Sequence, residues 1–170
     1  MNEEELDKHS RLSSIREEYV EYTFLSQICS YAWQVERFVE IARSNTDAFG
    51  YDVILTCDGI SRHVQLKAMK TGGKASFQKV NTNLANAPSG CVLWLIIDED
   101  TLLPSQYGWF GAGPGKPLPA LGDDVAKHTK GNSDGEKLER FSIRKVKKRE
   151  FEWIDNIEYV FHRLFGKKGN

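Results

Sequence analysis

An acid, an amide and an amine stand close together in what reads as one short hairpin. Asp52 precedes the apolar run Val53 to Cys57, and Gln65 and Lys67 sit in the run Ile60 to Ala68, with Asp58-Gly59 between the two runs. Asp-Gly is favoured where both central residues of a turn need positive φ, so the spacing predicts a two-residue type I′ turn. Cys57 then pairs with Ile60, Val53 with Val64, and Asp52 with Gln65. Directly opposed residues share a face, with Cβ atoms roughly 4.5–5.5 Å apart. Lys67, two residues past Gln65, points the same way, while Val53, Leu55, Val64 and Leu66 take the other, buried face.

That trio has a chemical use. Asp52 can ligate a hard divalent cation, and the Gln65 side-chain carbonyl can add a neutral oxygen ligand. Lys67 can hold a water near that cation or stabilise charge building on a phosphate. Such a site suits phosphodiester hydrolysis; a solvent-facing strand of alternating polar residues would carry the same pattern. Gly50 relieves crowding where the strand enters the site. Upstream, Glu17, Glu18 and Glu21 lie on a helix that could bring a second carboxylate, and Glu21 stands at its border between core and solvent.

The elements that must position these groups follow from periodicity. Ile15, Val20, Phe24, Leu25, Ile28, Cys29 and Ala32 recur at helical spacing, which predicts a helix from an N-cap at Ser13 or Ser14 to Trp33. Gln34 to Ala42 reads as a strand, followed by the hairpin, which ends at Thr71-Gly72-Gly73. Ser76 is placed to cap a short helix carrying Phe77, Val80 and Leu84 and stopped by Pro88. Cys91 to Ile97 is uniformly apolar, as a central strand buried on both faces would be. Tyr107 to Phe110 adds a strand, Gly111 to Gly122 a loop, and Leu138 to Val146 a late strand. Trp153, Ile157, Val160, Phe161, Leu164 and Phe165 mark a C-terminal helix. The expectation is one α/β domain over residues 13–170, preceded by a tail to about Leu12, with a mixed central sheet and an antiparallel hairpin flanked by helices.

Taken together, Glu21 on a first helix, Gly50-Tyr51-Asp52 opening a strand, and Val64-Gln65-Leu66-Lys67-Ala68 on the next resemble the PD-(D/E)xK nuclease superfamily. The likeness is closest to the branch with Gln-x-Lys in place of Glu-x-Lys, as in restriction endonucleases acting on modified DNA. It covers Ser14 to Ile97, about half the chain. The resemblance implies a restriction-endonuclease-like core and Mg²⁺-dependent (or Mn²⁺-dependent) hydrolysis of DNA. Asp52 and Gln65 would bind the metal, Lys67 would assist the attacking water, and Glu21 would help hold the metal or its water. Tyr51 replaces the proline that names the motif, and Gln65 leaves the site less anionic. The alternative is a catalytically weak or inactive module of this fold that binds nucleic acid or a protein partner, for instance in a defence system.

Charge supports an anionic partner only locally. The whole chain has a net charge of −1, yet Gly59 to Ile97 contains no acid and includes Arg62, Lys67, Lys70, Lys74 and Lys79. Lys70, Lys74, Gln78 and Lys79 could track a DNA backbone, or form a flexible loop and a solvated face. Three scattered cysteines, Cys29, Cys57 and Cys91, signal neither a disulfide framework nor a zinc site and read as buried thiols of a reducing compartment. The acidic, polar start does not read as a signal peptide, and no apolar run is long enough to span a bilayer, so a cytoplasmic protein without membrane contact is expected. Cutting both strands of a duplex needs two sites, which a homodimer would supply, though no residue pattern marks a contact surface.

Overall fold

The structure, a computed structural model, describes residues 12–168 apart from 129 and 132. Its elements run α1 (Ser13–Gln34), β1 (Glu40–Arg43), β2 (Val53–Cys57), β3 (Ile60–Lys70), β4 (Phe77–Asn81) and β5 (Gly90–Ile97). They continue with β6 (Pro104–Gly111), β7 (Val125–Lys127), β8 (Glu139–Lys147), β9 (Glu152–Ile154) and α2 (Ile157–Phe165). Apart from Leu12, the expected tail lies outside the described residues.

All eight residues of β5 are buried, one face under helices and the other under a second sheet. The sheet that contains β5 is mixed, in the order β1-β2-β3-β5-β6-β9, with β3 and β5 parallel and the other neighbours antiparallel. Alternation sends Cys91, Leu93, Leu95 and Ile97 into a core with Phe24 and Ile28 of α1 and Val160, Phe161 and Leu164 of α2. Val92, Trp94 and Ile96 point the other way, onto Val80, Leu84, Val146 and Phe151 beneath a second, antiparallel sheet ordered β4-β8-β7. Each fully buried Leu, Ile or Phe contributes roughly 1.5–3 kcal/mol of transfer free energy. The protein is thus mixed α/β, with both helices on one face of the main sheet and a small sheet on the other. Among the described residues, no helix is long and apolar enough to cross a membrane.

The hairpin has the expected register, Cys57 opposite Ile60 and Val53 opposite Val64, and Asp58 and Gly59 both have positive φ (50° and 78°). Several expectations need correction. Phe77 to Asn81 is a strand, followed by a 3-10 turn over Thr82–Asn86. Its apolar spacing is too short to separate helix from strand, and β8 supplies the partner that decides, with Val80 opposite Arg144. Trp153 belongs to β9, because Asn156 starts α2 by accepting from the Tyr159 N–H at 2.9 Å. α1 runs on through Gln34, which confines β1 to Glu40–Arg43, and Leu12 occupies its N-cap position without a side-chain bond.

Side-chain placement brings further corrections. Ile15 and Cys29 are exposed, on the side of α1 away from the core. Tyr107, Trp109 and Phe110 of β6 are buried. Arg62 leaves the supposed basic face altogether: it is fully buried, donating to the Ser89 Oγ and to the Gly113 and Ala112 carbonyls at 2.9–3.0 Å.

Candidate active site

Gly50 sets up the entry to β2. A 3-10 turn over Asp47–Phe49 begins with the Thr46 hydroxyl accepting from the Ala48 N–H and ends at Gly50, whose φ is 77°. A Cβ there would also lie 3.0 Å from the Asn81 Cβ and 3.1 Å from the Leu84 nitrogen. Steric demand and backbone conformation therefore both require glycine two residues before Asp52. Gly50→Ala should cost about 1–3 kcal/mol in urea unfolding; a change below about 0.5 kcal/mol would remove this constraint.

Asp52 sits one step beyond the end of β2. Its N–H donates to the Val64 carbonyl at 2.9 Å, its carbonyl accepts from the Ser44 N–H at 2.8 Å, and its Oδ2 accepts from the Leu66 N–H at 2.6 Å. The carboxylate thus takes the place of the next ladder acceptor, and its bonds to Val64 and Leu66 bracket Gln65. Past this point β3 continues to Lys70 with no strand on its β2 side, since the pairing of β2 with β3 stops at Val53 and Val64. A cleft of about 690 Å³ opens there, bounded by α1, the Asp47–Asp52 segment, β3, β4 and β8.

Asp52, Gln65, Lys67 and Glu21 all line that cleft. Gln65 is only 9 % exposed, and its Oε1 is buried with no hydrogen-bond partner among the described residues. Burial pushes the Asp52 carboxyl above its ordinary pKa, against the opposing pull of the Leu66 N–H and the Lys67 ammonium. Burial likewise lowers the Lys67 pKa, which Asp52 and then Glu17 partly restore. Lys67 is therefore not the freely solvated strand residue that alternation alone would give. Glu21 is held by Arg43, whose Nε and Nη2 both reach Oε1 at 2.6 Å. Its second oxygen has no hydrogen-bond partner among the described residues, so Glu21 can act only while sharing its charge with Arg43.

The backbone-tracking group divides. Gln78 and Lys79 line the cleft from β4, whereas Lys70 and Lys74 do not. Lys70 lies 3.2 Å from Glu99, and Lys74 is exposed in the turn after β3. His63 shares the Gln65 face by parity but lies outside the cleft lining, its ring edge-on to Tyr51 with centroids 4.8 Å apart. Arg16 and Arg140 line the cleft unforeseen. Arg16 lies five residues before Glu21, roughly 140° round the helix, so helical spacing does not mark it. Nothing local marks Arg140, which the fold of the second sheet brings back from far along the chain.

The donor set fits a hard cation. It offers the free Asp52 oxygen, the orphaned Gln65 Oε1 and the free Glu21 oxygen, all of the kind that Mg²⁺ takes. It is sparing in charge: among the described residues, no three His, Cys, Asp or Glu side chains are grouped to hold a metal. No family model, curated protein or solved structure matches this chain.

Proposed function

We propose that this protein hydrolyses phosphodiester bonds in DNA with Mg²⁺ or Mn²⁺, in the manner of the PD-(D/E)xK nucleases and on a restriction-endonuclease-like core. The observation that carries this reading is the Gln65 Oε1, a buried acceptor with no partner among the described residues, in the same cleft as Asp52 and Lys67. An unmet amide oxygen beside a carboxylate costs free energy unless a donor or cation meets it. A bound Mg²⁺ would draw charge from the scissile phosphate and make a water more acidic. Asp52 and Gln65 would hold it, with Glu21 behind them. Lys67 orients the attacking water and offsets charge on the phosphate, and Arg16, Lys79 and Arg140 line the path of the backbone. The order of α1, β1, the β2–β3 hairpin and the parallel β5 supports the nuclease core, although β4 and a 3-10 turn stand where the resemblance implies a helix.

The test is cleavage of linear, nicked and branched DNA with and without Mg²⁺ or Mn²⁺, run beside Asp52→Asn. That variant should cleave more than about 100-fold more slowly and yet melt at a higher temperature near neutral pH. Folding favours the protonated Asp52 because its pKa is raised. That contribution is complete below the ordinary carboxylate pKa and is lost as pH rises through the raised value. Asparagine cannot ionise, so it avoids the loss, and its Oδ1 can still accept from Leu66. A lower melting temperature for Asp52→Asn would refute the electrostatic account.

Arg43 on Glu21 and a neutral Gln65 favour a second reading, a nucleic-acid-binding module with little catalysis. Calorimetry separates the two, since the nuclease reading requires Mg²⁺ or Mn²⁺ to bind at millimolar concentration.

A further inference from the structure

α1 is apolar on two sides. Val20, Phe24, Leu25, Ile28 and Ala32 are buried. At about 100° per residue, the opposite side carries Ile15, Tyr19, Tyr22, Ser26, Cys29 and Trp33, all exposed. Their spacing alternates between four and three residues, the seam of a coiled coil. Trp33 is 76 % exposed, Tyr19 52 %, Ile15 46 % and Tyr22 44 %. Side chains of this size carry roughly 150–250 Å² each, so these four present roughly 450 Å² per chain and roughly 900 Å² across a pair. The strip has a polar rim, since Tyr22 donates to Glu18 and carries the Arg43 guanidinium 4.9 Å from its ring centroid. With such rim residues added, a pair reaches the roughly 1,000 Å² of a specific interface, an extent of exposed apolar surface that suits a contact.

We propose that α1 is the two-fold contact of a homodimer in which the two copies of the helix run antiparallel. The stripe is self-complementary in that direction. With the axis between Tyr22 and Ser26, Tyr22 faces Ser26 of the second copy, Tyr19 faces its Cys29, and Ile15 faces its Trp33. Bulky side chains then meet small ones at the centre, as close packing requires, and every contact occurs twice, as in an isologous interface. A parallel pair would set tyrosine on tyrosine and leave a gap between two serines. Antiparallel helices also oppose their macrodipoles and bring Arg16 and Glu18 beside the uncharged Ser30 to Gln34 turn of the other copy. None of this depends on the nuclease reading.

Sedimentation equilibrium of the full chain should return twice the monomer mass at micromolar concentration. Tyr19→Glu combined with Trp33→Glu should return the monomer mass with the fold retained, since both side chains are exposed. Orientation has its own readout, because Cys57 and Cys91 are buried and Cys29 is the exposed thiol. Under diamide, which takes up the two electrons and two protons of disulfide formation, the unaltered chain should stay uncross-linked. Tyr19→Cys should form a dimer through a 19–29 disulfide identified by peptide mass. A Cys29–Cys29 link in the unaltered chain would overturn the antiparallel arrangement, and a dimer that the double glutamate variant leaves intact would move the interface elsewhere. A monomer overturns the proposal. If its Cys29 also gains reactivity when residues 1–11 are removed, the face belongs to that segment of the chain instead.

Discussion

Lys67→Met is expected to slow metal-dependent DNA cleavage by roughly 10²- to 10³-fold, the usual cost of losing a group aimed at charge that develops in the transition state. Methionine keeps much of the aliphatic stem, so packing under the second sheet survives and the loss reports on the ammonium. A partly buried cation acts through a lower effective dielectric than a solvated one, which is why its removal should be felt so strongly. The variant carries a second signature. Lys67 is one of the groups that lowers the Asp52 pKa against burial, so without it that pKa rises further. If the residual activity needs the Asp52 carboxylate, the acid limb of its pH profile must move to higher pH. Single-turnover rates across pH, with circular dichroism to check folding, measure both effects. An unchanged rate would remove Lys67 from the chemistry, and a slower rate with an unmoved acid limb would break its link to Asp52.

Arg62→Ala should be the most destabilising single change away from the cleft, by about 3–5 kcal/mol. Arg62 is a fully buried guanidinium with no carboxylate partner among the described residues; it bridges β3 to the segment after β6 by donating to Ser89, Ala112 and Gly113. Its Cζ also lies 5.2 Å from the Trp109 ring centroid. The Ser89 hydroxyl in turn accepts from the Gly115 N–H at 3.0 Å, so the same cluster anchors the Gly-Pro loop. Alanine would leave a cavity and strip donors from buried carbonyls. Arg62→Lys should fail almost as badly, because a point ammonium cannot reach acceptors arranged for a planar fork. Arg62→Met, which fills the space but donates nothing, should fall between alanine and the native residue. Urea unfolding at constant slope gives these differences directly. A cost below about 1 kcal/mol for Arg62→Ala would mean that water satisfies those carbonyls.

The two arginine and lysine cases show where linear reading succeeds and where it stops. Lys67, Gln65 and Asp52 were legible as neighbours because a two-residue turn fixes register, and register fixes which side chains share a face. Arg62 was grouped with the basic residues of that stretch, although alternation sets it on the Val64 side, and only acceptors from elsewhere in the chain let its guanidinium be buried there. Its acceptors come from residues some 50 positions later, at separations of 50 and 51 for the two carbonyls, and no local pattern announces them. Glu21 was found as a carboxylate near the site, but Arg43, which holds it, is brought there by β1.

Sequence alone therefore determined what depends on short-range geometry: α1, the hairpin and its register, the doubly buried β5, and the convergence of Asp52 with Gln65. Each follows from spacing along a helix or strand, where steric rules act over a few residues. Only the tertiary structure decided that Phe77 to Asn81 pairs as a strand, that Arg62 is interior, and that Arg16 and Arg140 meet across one cleft. It also decided which of the two apolar faces of α1 is packed and which is exposed among the described residues. Those outcomes depend on which distant segments compete for the same surface, and pairing of distant segments is what wins over local preference.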